Sequence, residues 1–216
     1  MEAFQQFLFD ELPIVGILRG FDSVSVDHII RASVRGGLRN IEITMNSPDA
    51  EALIRSARRE AGDAMNIGAG TVLNEPQLQA ALNAGASFIV TPVVCEAVIA
   101  KCVALSVPVF PGAFSPTEIA RAWELGSKMV KVFPADRLGP GYIRNLKAPF
   151  PHIGLMPTGG VGLETLEDFV KAGAAALGVG SPLFSGDRVR QQDWAWIQAR
   201  CEAFAEAWKK ASRPVT

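Results

Sequence analysis

The chain reads as an α/β protein, a (β/α)₈ barrel preceded by one extra helix. Three observations predict it. Eight short apolar runs recur along 216 residues, helical patterns separate them, and several of those helices end in glycine just before the next run. Near-continuous apolar strands alternating with helices indicate a parallel sheet covered on its outer face. Eight such units in one chain of this length point to a closed barrel in a single domain, residues 1–216. A doubly wound open sheet is the alternative. No Gly-x-Gly-x-x-Gly opens the first helix, and eight units of even length suit the barrel better.

The opening segment, Met1 to Glu11, carries acids and no basic leader, so it reads as a short amphipathic helix and not a signal peptide. The strands are expected at Ile14–Leu18, Asn40–Thr44, Asn66–Ala69, Phe88–Thr91, Val107–Pro111, Met129–Phe133, Gly154–Thr158 and Ala175–Val179. Composition and period favour helix over Asp49–Arg59, Gln77–Asn83, Glu96–Leu105, Thr117–Leu125 and Glu164–Lys171. Gly36-Gly37, Gly85, Gly126 and Gly173 supply C-caps. A last helix over roughly Gln191–Lys210 carries Trp194, Trp196 and Trp208, read as packing or subunit contacts, and Ala211–Thr216 as a frayed tail.

Composition removes several function classes. Twenty-one basic residues against 22 acidic ones give a net charge of −1, no electrostatic case for nucleic acid or an anionic membrane. No apolar stretch reaches the length of a membrane span. Cys95, Cys102 and Cys201 are too few and scattered for a disulfide framework. With only His28 and His152 beside them, a metal centre has little to stand on. A reduced cytoplasmic protein without a metal is the simplest reading.

Chemistry in this architecture gathers at the carboxyl ends of the strands. Lys131 lies inside the apolar run Met129-Val130-Lys131-Val132-Phe133. Burial disfavours an ammonium, and a free amine attacks a ketone to give a Schiff base. An edge strand with a solvated lysine, or a stem reaching out of the core, is the alternative. Glu42 is flanked by Ile41 and Ile43, so alternation sends the carboxylate into the barrel if the isoleucines face the helices. The two side chains form either a structural ion pair or a catalytic pair, in which Lys131 makes an iminium and Glu42 moves protons. Thr158-Gly159-Gly160-Val161 and Gly178-Val179-Gly180-Ser181 close the seventh and eighth strands, where glycines let backbone N–H groups approach a phosphate. A Gly-Gly pair is otherwise only a turn. No Gly-x-x-x-x-Gly-Lys-Ser/Thr suggests a nucleoside triphosphate.

Assembled in order, these motifs resemble the 2-keto-3-deoxy-6-phosphogluconate, 2-keto-3-deoxy-6-phosphogalactonate and 4-hydroxy-2-oxoglutarate aldolase family, class I aldolases. The resemblance runs from Leu12 to Ser185. It rests on Ile17-Leu18-Arg19, Ile41-Glu42-Ile43-Thr44, Gly68-Ala69-Gly70-Thr71-Val72, Val90-Thr91-Pro92, Val109-Phe110-Pro111-Gly112, Lys131-Val132-Phe133-Pro134, Pro157-Thr158-Gly159-Gly160 and Gly178-Val179-Gly180-Ser181. It implies Lys131 as the Schiff-base lysine and Glu42 as the general acid/base. Arg19 and Thr71 would hold the pyruvate carboxylate, with Pro92, Phe133 and Thr158 lining that end. Gly159, Gly160, Gly180 and Ser181 would hold the phosphate. It further implies a cytoplasmic homotrimer that needs no cofactor and splits a phosphorylated 2-keto-3-deoxy sugar acid into pyruvate and D-glyceraldehyde 3-phosphate. Many gluconate-type members carry an arginine shortly after the glutamate, where this chain has Asn46, a galactonate-like feature. Thr158 is gluconate-like, so the preference at C4 stays open. Two other functions fit the residues: a non-covalent phosphosugar isomerase or epimerase, and a non-catalytic sugar-phosphate binding protein.

Overall fold

The computed structural model describes residues 3–213, so Met1, Glu2 and the end of the tail lie outside the described residues. Helix α1 (Gln6–Glu11) leads into β1 (Ile14–Leu18), α2 (Ser23–Arg35), β2 (Asn40–Thr44), α3 (Ala50–Ala61), β3 (Asn66–Gly70) and α4 (Glu75–Asn83). Next come β4 (Ile89–Val90), α5 (Glu96–Ala104), β5 (Val109–Phe110), β6 (Gly112–Ala113), α6 (Pro116–Glu124), β7 (Val130–Val132) and α7 (Gly139–Lys147). The chain closes with β8 (Leu155–Pro157), α8 (Leu163–Lys171), β9 (Leu177–Val179), α9 (Gly186–Arg190) and α10 (Trp194–Ala211). The result is an α/β fold, a curled parallel sheet covered by helices.

Six strands run in the order β5-β4-β3-β2-β1-β9 and three in the order β6-β7-β8, every pair parallel. Of the expected fifth strand, Val107–Pro111, only Val109–Phe110 forms as β5, and β6 follows beyond it as a second short piece. Pro111 lies between them, and with no N–H it cannot continue a ladder as donor. Its carbonyl still accepts from Lys131 N–H at 2.9 Å, while Val109 accepts from Lys128 at 3.0 Å. At the other end, Thr158, just past β8, forms a parallel bridge with Gly178 in the middle of β9.

Helix ends follow local chemistry. Asp22 caps α2 by accepting the Ser25 N–H, Asn74 caps α4 through the Gln77 N–H, and Ser115 with Glu118 makes a reciprocal capping box on α6. The expected last helix from Gln191 is corrected to a later start, at Trp194, with the short α9 ending before it at Arg190. Gln192 takes a left-handed φ of 56°, and the Asp193 side chain accepts the Trp196 N–H at 3.1 Å, so α10 starts afresh at Trp194. Trp208 is buried, and Trp194 stacks on His28 at 4.9 Å.

Two apolar clusters divide the strand residues by parity. Ile41, Ile43, Ile67, Ala69, Ile89, Val130, Val132 and Leu155 join the cluster shared with the helices. Val15, Phe88, Val90, Phe110, Met129, Met156 and Ala176 join a separate inner cluster with Phe9 of α1. The period of two along each strand produces this split. Helix α1 floors the inner cluster: the Phe9 ring stacks on Phe110 with centroids 5.7 Å apart. Buried amides tie it down, with Asn66 Nδ2 donating to the Gln5 carbonyl at 3.0 Å and to Asn40 Oδ1 at 2.9 Å. Asn40 Nδ2 donates to the Leu12 carbonyl at 2.9 Å. Each such bond contributes roughly 1 kcal/mol net, and more would be lost by leaving one amide unpaired. No helix among the described residues is long and apolar enough to cross a membrane.

Candidate active site

Above the inner apolar cluster the same face of the strands turns polar. Glu42, with Ile41 and Ile43 committed to the helices, projects inward from β2 and is 1% exposed. Lys131 projects inward from β7, between Val130 and Val132, and is 5% exposed. Lys131 Nζ lies 3.9 Å from Glu42 Oε1. That is a long ion pair, and neither carboxylate oxygen has a hydrogen-bond partner among the described residues. Buried polar atoms are seldom left this way unless chemistry requires it.

Burial holds the Glu42 carboxyl above the usual carboxylate range, and the charges of Lys131 and then Arg19 oppose that shift without cancelling it. A carboxyl raised toward the working pH both accepts and returns a proton readily. Two thiols are poor candidates for nucleophiles: burial pushes Cys102 and Cys201 up to about 12. Among the described residues no three His, Cys, Asp or Glu side chains converge as a metal site would need.

Phe133 and Arg19, both singled out in the sequence, act directly on this pair. Lys131 Nζ stands 5.1 Å from the centre of the Phe133 ring, which is exposed on the site side. Arg19 follows β1 directly, and its Nη2 donates to Thr71 Oγ1 at 3.2 Å while Nη1 donates to Asn46 Oδ1 at 3.3 Å. Thr71 takes φ of +57°, a conformation that costs a β-branched residue about 1–3 kcal/mol. Pro92 backs onto Gly112, the residue opposite Lys131 in the ladder, so closely that a Cβ at 112 would overlap the Pro92 carbonyl. Thr158 is 4% exposed at the end of β8, its hydroxyl filling the space beside Gly178.

The two glycine-bearing loops follow adjacent strand ends, since Thr158 and Gly178 are bridged. Gly159 and Gly160 both have positive φ, 94° and 69°. Gly160 packs against the backbone of Asp136, which a Cβ would approach to 2.7 Å. Gly180 and Ser181 open the turn after β9, where the Gly180 carbonyl accepts from Leu183 and Phe184. Two positions were not singled out from sequence. Gly70 borders the Glu42 carboxylate, and buried Ser47 links the loops after β1 and β2. Glycines two apart at 68 and 70, on the inward parity of a strand, were the available signal for the first.

The chain is similar to known proteins over most of its length. The aldolase family model described as KDPG and KHG aldolase matches residues 7–200. A 2-dehydro-3-deoxy-6-phosphogalactonate aldolase of Escherichia coli (strain K12) is 37% identical over 198 residues, 89% of this chain and 97% of that protein. A 2-dehydro-3-deoxy-phosphogluconate aldolase of Treponema pallidum (strain Nichols) is 35% identical over 189 residues, 87% of this chain and 88% of that one. A solved structure described as "Native KDPGal structure" superposes with a TM-score of 0.86 at 34% identity, over 98% of both chains.

Proposed function

The chain belongs to the KDPG and KHG aldolase family, and on that premise we propose how its own residues carry out the cleavage. It is an aldolase of the Schiff-base class, a carbon–carbon lyase. The substrate is a 6-phosphorylated 2-keto-3-deoxy sugar acid, of either configuration at C4, and the products are pyruvate and D-glyceraldehyde 3-phosphate.

Lys131, as the amine, attacks the C2 carbonyl to give a carbinolamine, which loses water to an iminium. The iminium draws the electrons of the C3–C4 bond, so that bond breaks and an enamine forms. As it breaks, Glu42 takes the proton of the C4 hydroxyl and the aldehyde departs. Glu42 then returns a proton to C3 of the enamine, and water releases pyruvate from Lys131. Arg19 and Thr71 hold the carboxylate, and Pro92, Phe133 and Thr158 line the pyruvyl end. Backbone groups of Gly159, Gly160 and Gly180, with Ser181, hold the phosphate.

The observation that carries this reading is the burial of Glu42 and Lys131 together at 3.9 Å, with the carboxylate oxygens otherwise unpartnered. Treatment with pyruvate and borohydride, followed by peptide mapping, is the test. A stable adduct on Lys131 is expected. No adduct, or one confined to Lys101, Lys128 or Lys147, overturns the assignment and favours a non-covalent isomerase or a binding protein.

The same proposal extends to architecture. The carbonyl bonds from Pro111 and Val109 across to the β7 segment, and the Thr158–Gly178 bridge, support reading the two sheets as one closed eight-stranded barrel. We read the chain as a single domain working as a cytoplasmic homotrimer, with no cofactor.

A further inference from the structure

Arg19 is exposed and stands on the first residue past β1, so its aim over the mouth of the sheet has to be set by its neighbours. Asn46 and Thr71 each accept one of its N–H groups. Behind them lies a second tie, made to the backbone. Ser47 Oγ accepts the N–H of Gly20, the residue after Arg19, at 2.9 Å. The same oxygen lies 3.0 Å from Thr44 Oγ1, where either hydroxyl can donate, and the Ser47 N–H bonds to the Thr44 carbonyl at 2.9 Å. Ser47 is 7% exposed and Thr44 is fully buried at the end of β2. Gly20 has φ of +72°, so the chain turns sharply just beyond Arg19, and the Ser47 bond holds that turn in place.

We propose that the Thr44–Ser47 hydroxyl pair is a positioning device for Arg19. By anchoring the Gly20 N–H it fixes the direction in which the guanidinium leaves β1, and so sets affinity for the keto-acid carboxylate. The inference rests on the reading above that Arg19 takes that carboxylate. A hydroxyl deep in the fold is a better anchor than Asn46, which is exposed and competes with water for the same guanidinium. Buried hydrogen bonds of this kind cost most when one partner is removed and the other remains, here the Gly20 N–H.

The test is the concentration of pyruvate that gives half-maximal borohydride trapping, in the parent, Ser47→Ala, Ser47→Thr and Arg19→Ala. Acetone, a ketone without a carboxylate, serves as the control. Ser47→Ala should raise the pyruvate requirement about tenfold, leave acetone trapping unchanged, and recover in Ser47→Thr. In the cleavage assay KM should rise while kcat stays within a few-fold. Added to Arg19→Ala, Ser47→Ala should have no further effect, because the two act on one interaction. Should Ser47→Ala fail to fold, Thr44→Val removes only the hydroxyl that does not touch Gly20 and should shift the pyruvate requirement in the same direction by less. An unchanged requirement, equal shifts for pyruvate and acetone, or additive effects with Arg19→Ala each overturn the positioning role. Failure of the parent itself to trap pyruvate defeats the functional reading instead, which keeps the two apart.

Discussion

The carboxylate of Glu42 occupies the space that a side chain at Gly70 would need: a Cβ there would lie 2.5 Å from Oε1 and 2.6 Å from Cδ. Glu42 is opposite Gly68 in the ladder and leans along the neighbouring strand toward Gly70, which pairs with Thr44. Glycine inside a strand weakens it, so the position is costly to keep. What the glycine provides is room for a carboxylate to rest 3.9 Å from Lys131 with no bond holding it elsewhere. At position 68 the same residue type serves a different end, since the Phe88 ring fills that space.

Gly70→Ala should therefore push Glu42 away from its resting place without touching Lys131. Misplacement of a reacting group by an ångström costs on the order of 10²-fold, so kcat should fall by about that amount. Borohydride trapping of pyruvate should persist. Steady-state cleavage and trapping, measured side by side, decide it; a kcat within three-fold of the parent would mean that Glu42 has more freedom than its packing implies.

Glu42→Gln separates imine formation from proton transfer. The amide cannot take the C4 hydroxyl proton, and such acid/base roles are worth about 10²–10⁴-fold in rate. Cleavage and the exchange of pyruvate methyl protons through the enamine should fall together, while the adduct on Lys131 still forms. If both rates hold, Glu42 is a structural partner of the lysine and nothing more.

Stability should show the same group from another side. Burial raises the folded-state pKa of Glu42 above its unfolded value of 4.5. Between those two values the folded protein binds more protons than the unfolded chain, so stability falls as pH rises through that window. The contribution is fully present below the unfolded pKa and is lost above the folded one. Glu42→Gln lacks the titration. The difference in unfolding free energy between variant and parent should therefore shift in favour of the variant as pH increases from acid toward neutral. Urea unfolding across that range measures it, and a pH-independent difference would contradict the raised pKa.

Much of this arrangement was legible in the sequence because it follows from a period of two. Ile41 and Ile43 against Glu42, and Val130 and Val132 against Lys131, specify which face each residue takes once the helices are known to cover the outside. Features that depend on a neighbouring strand were not legible. Pro111, with no N–H to donate, divides the strand into a piece in register with β4 and a piece in register with β7. Gly70 is glycine because of a side chain on β2, and Ser47 matters through the backbone of a loop after β1. The start of α10 was missed because the left-handed turn at Gln192 carries no glycine to mark it.

The phosphate end needs a more careful substitution than glycine replacement. Gly160 has φ of +69°, and a Cβ there would come within 2.7 Å of the Asp136 Cα, so any side chain displaces the Asp136 loop whether or not a phosphate binds. Ser181→Ala is cleaner, since Ser181 is exposed in the turn after β9 and loses only a hydroxyl. It should lower kcat/KM for the 6-phosphorylated substrate by about ten- to a hundredfold, as one hydrogen bond to a charged group is worth. Pyruvate trapping should stay as it was. The parent should also turn over the unphosphorylated sugar acid poorly in kcat as well as KM, because binding energy at the remote phosphate is used to align the C3–C4 bond with the iminium. Comparable kcat/KM for the two substrates would reduce the paired glycine loops to simple turns and remove the phosphate from the substrate class.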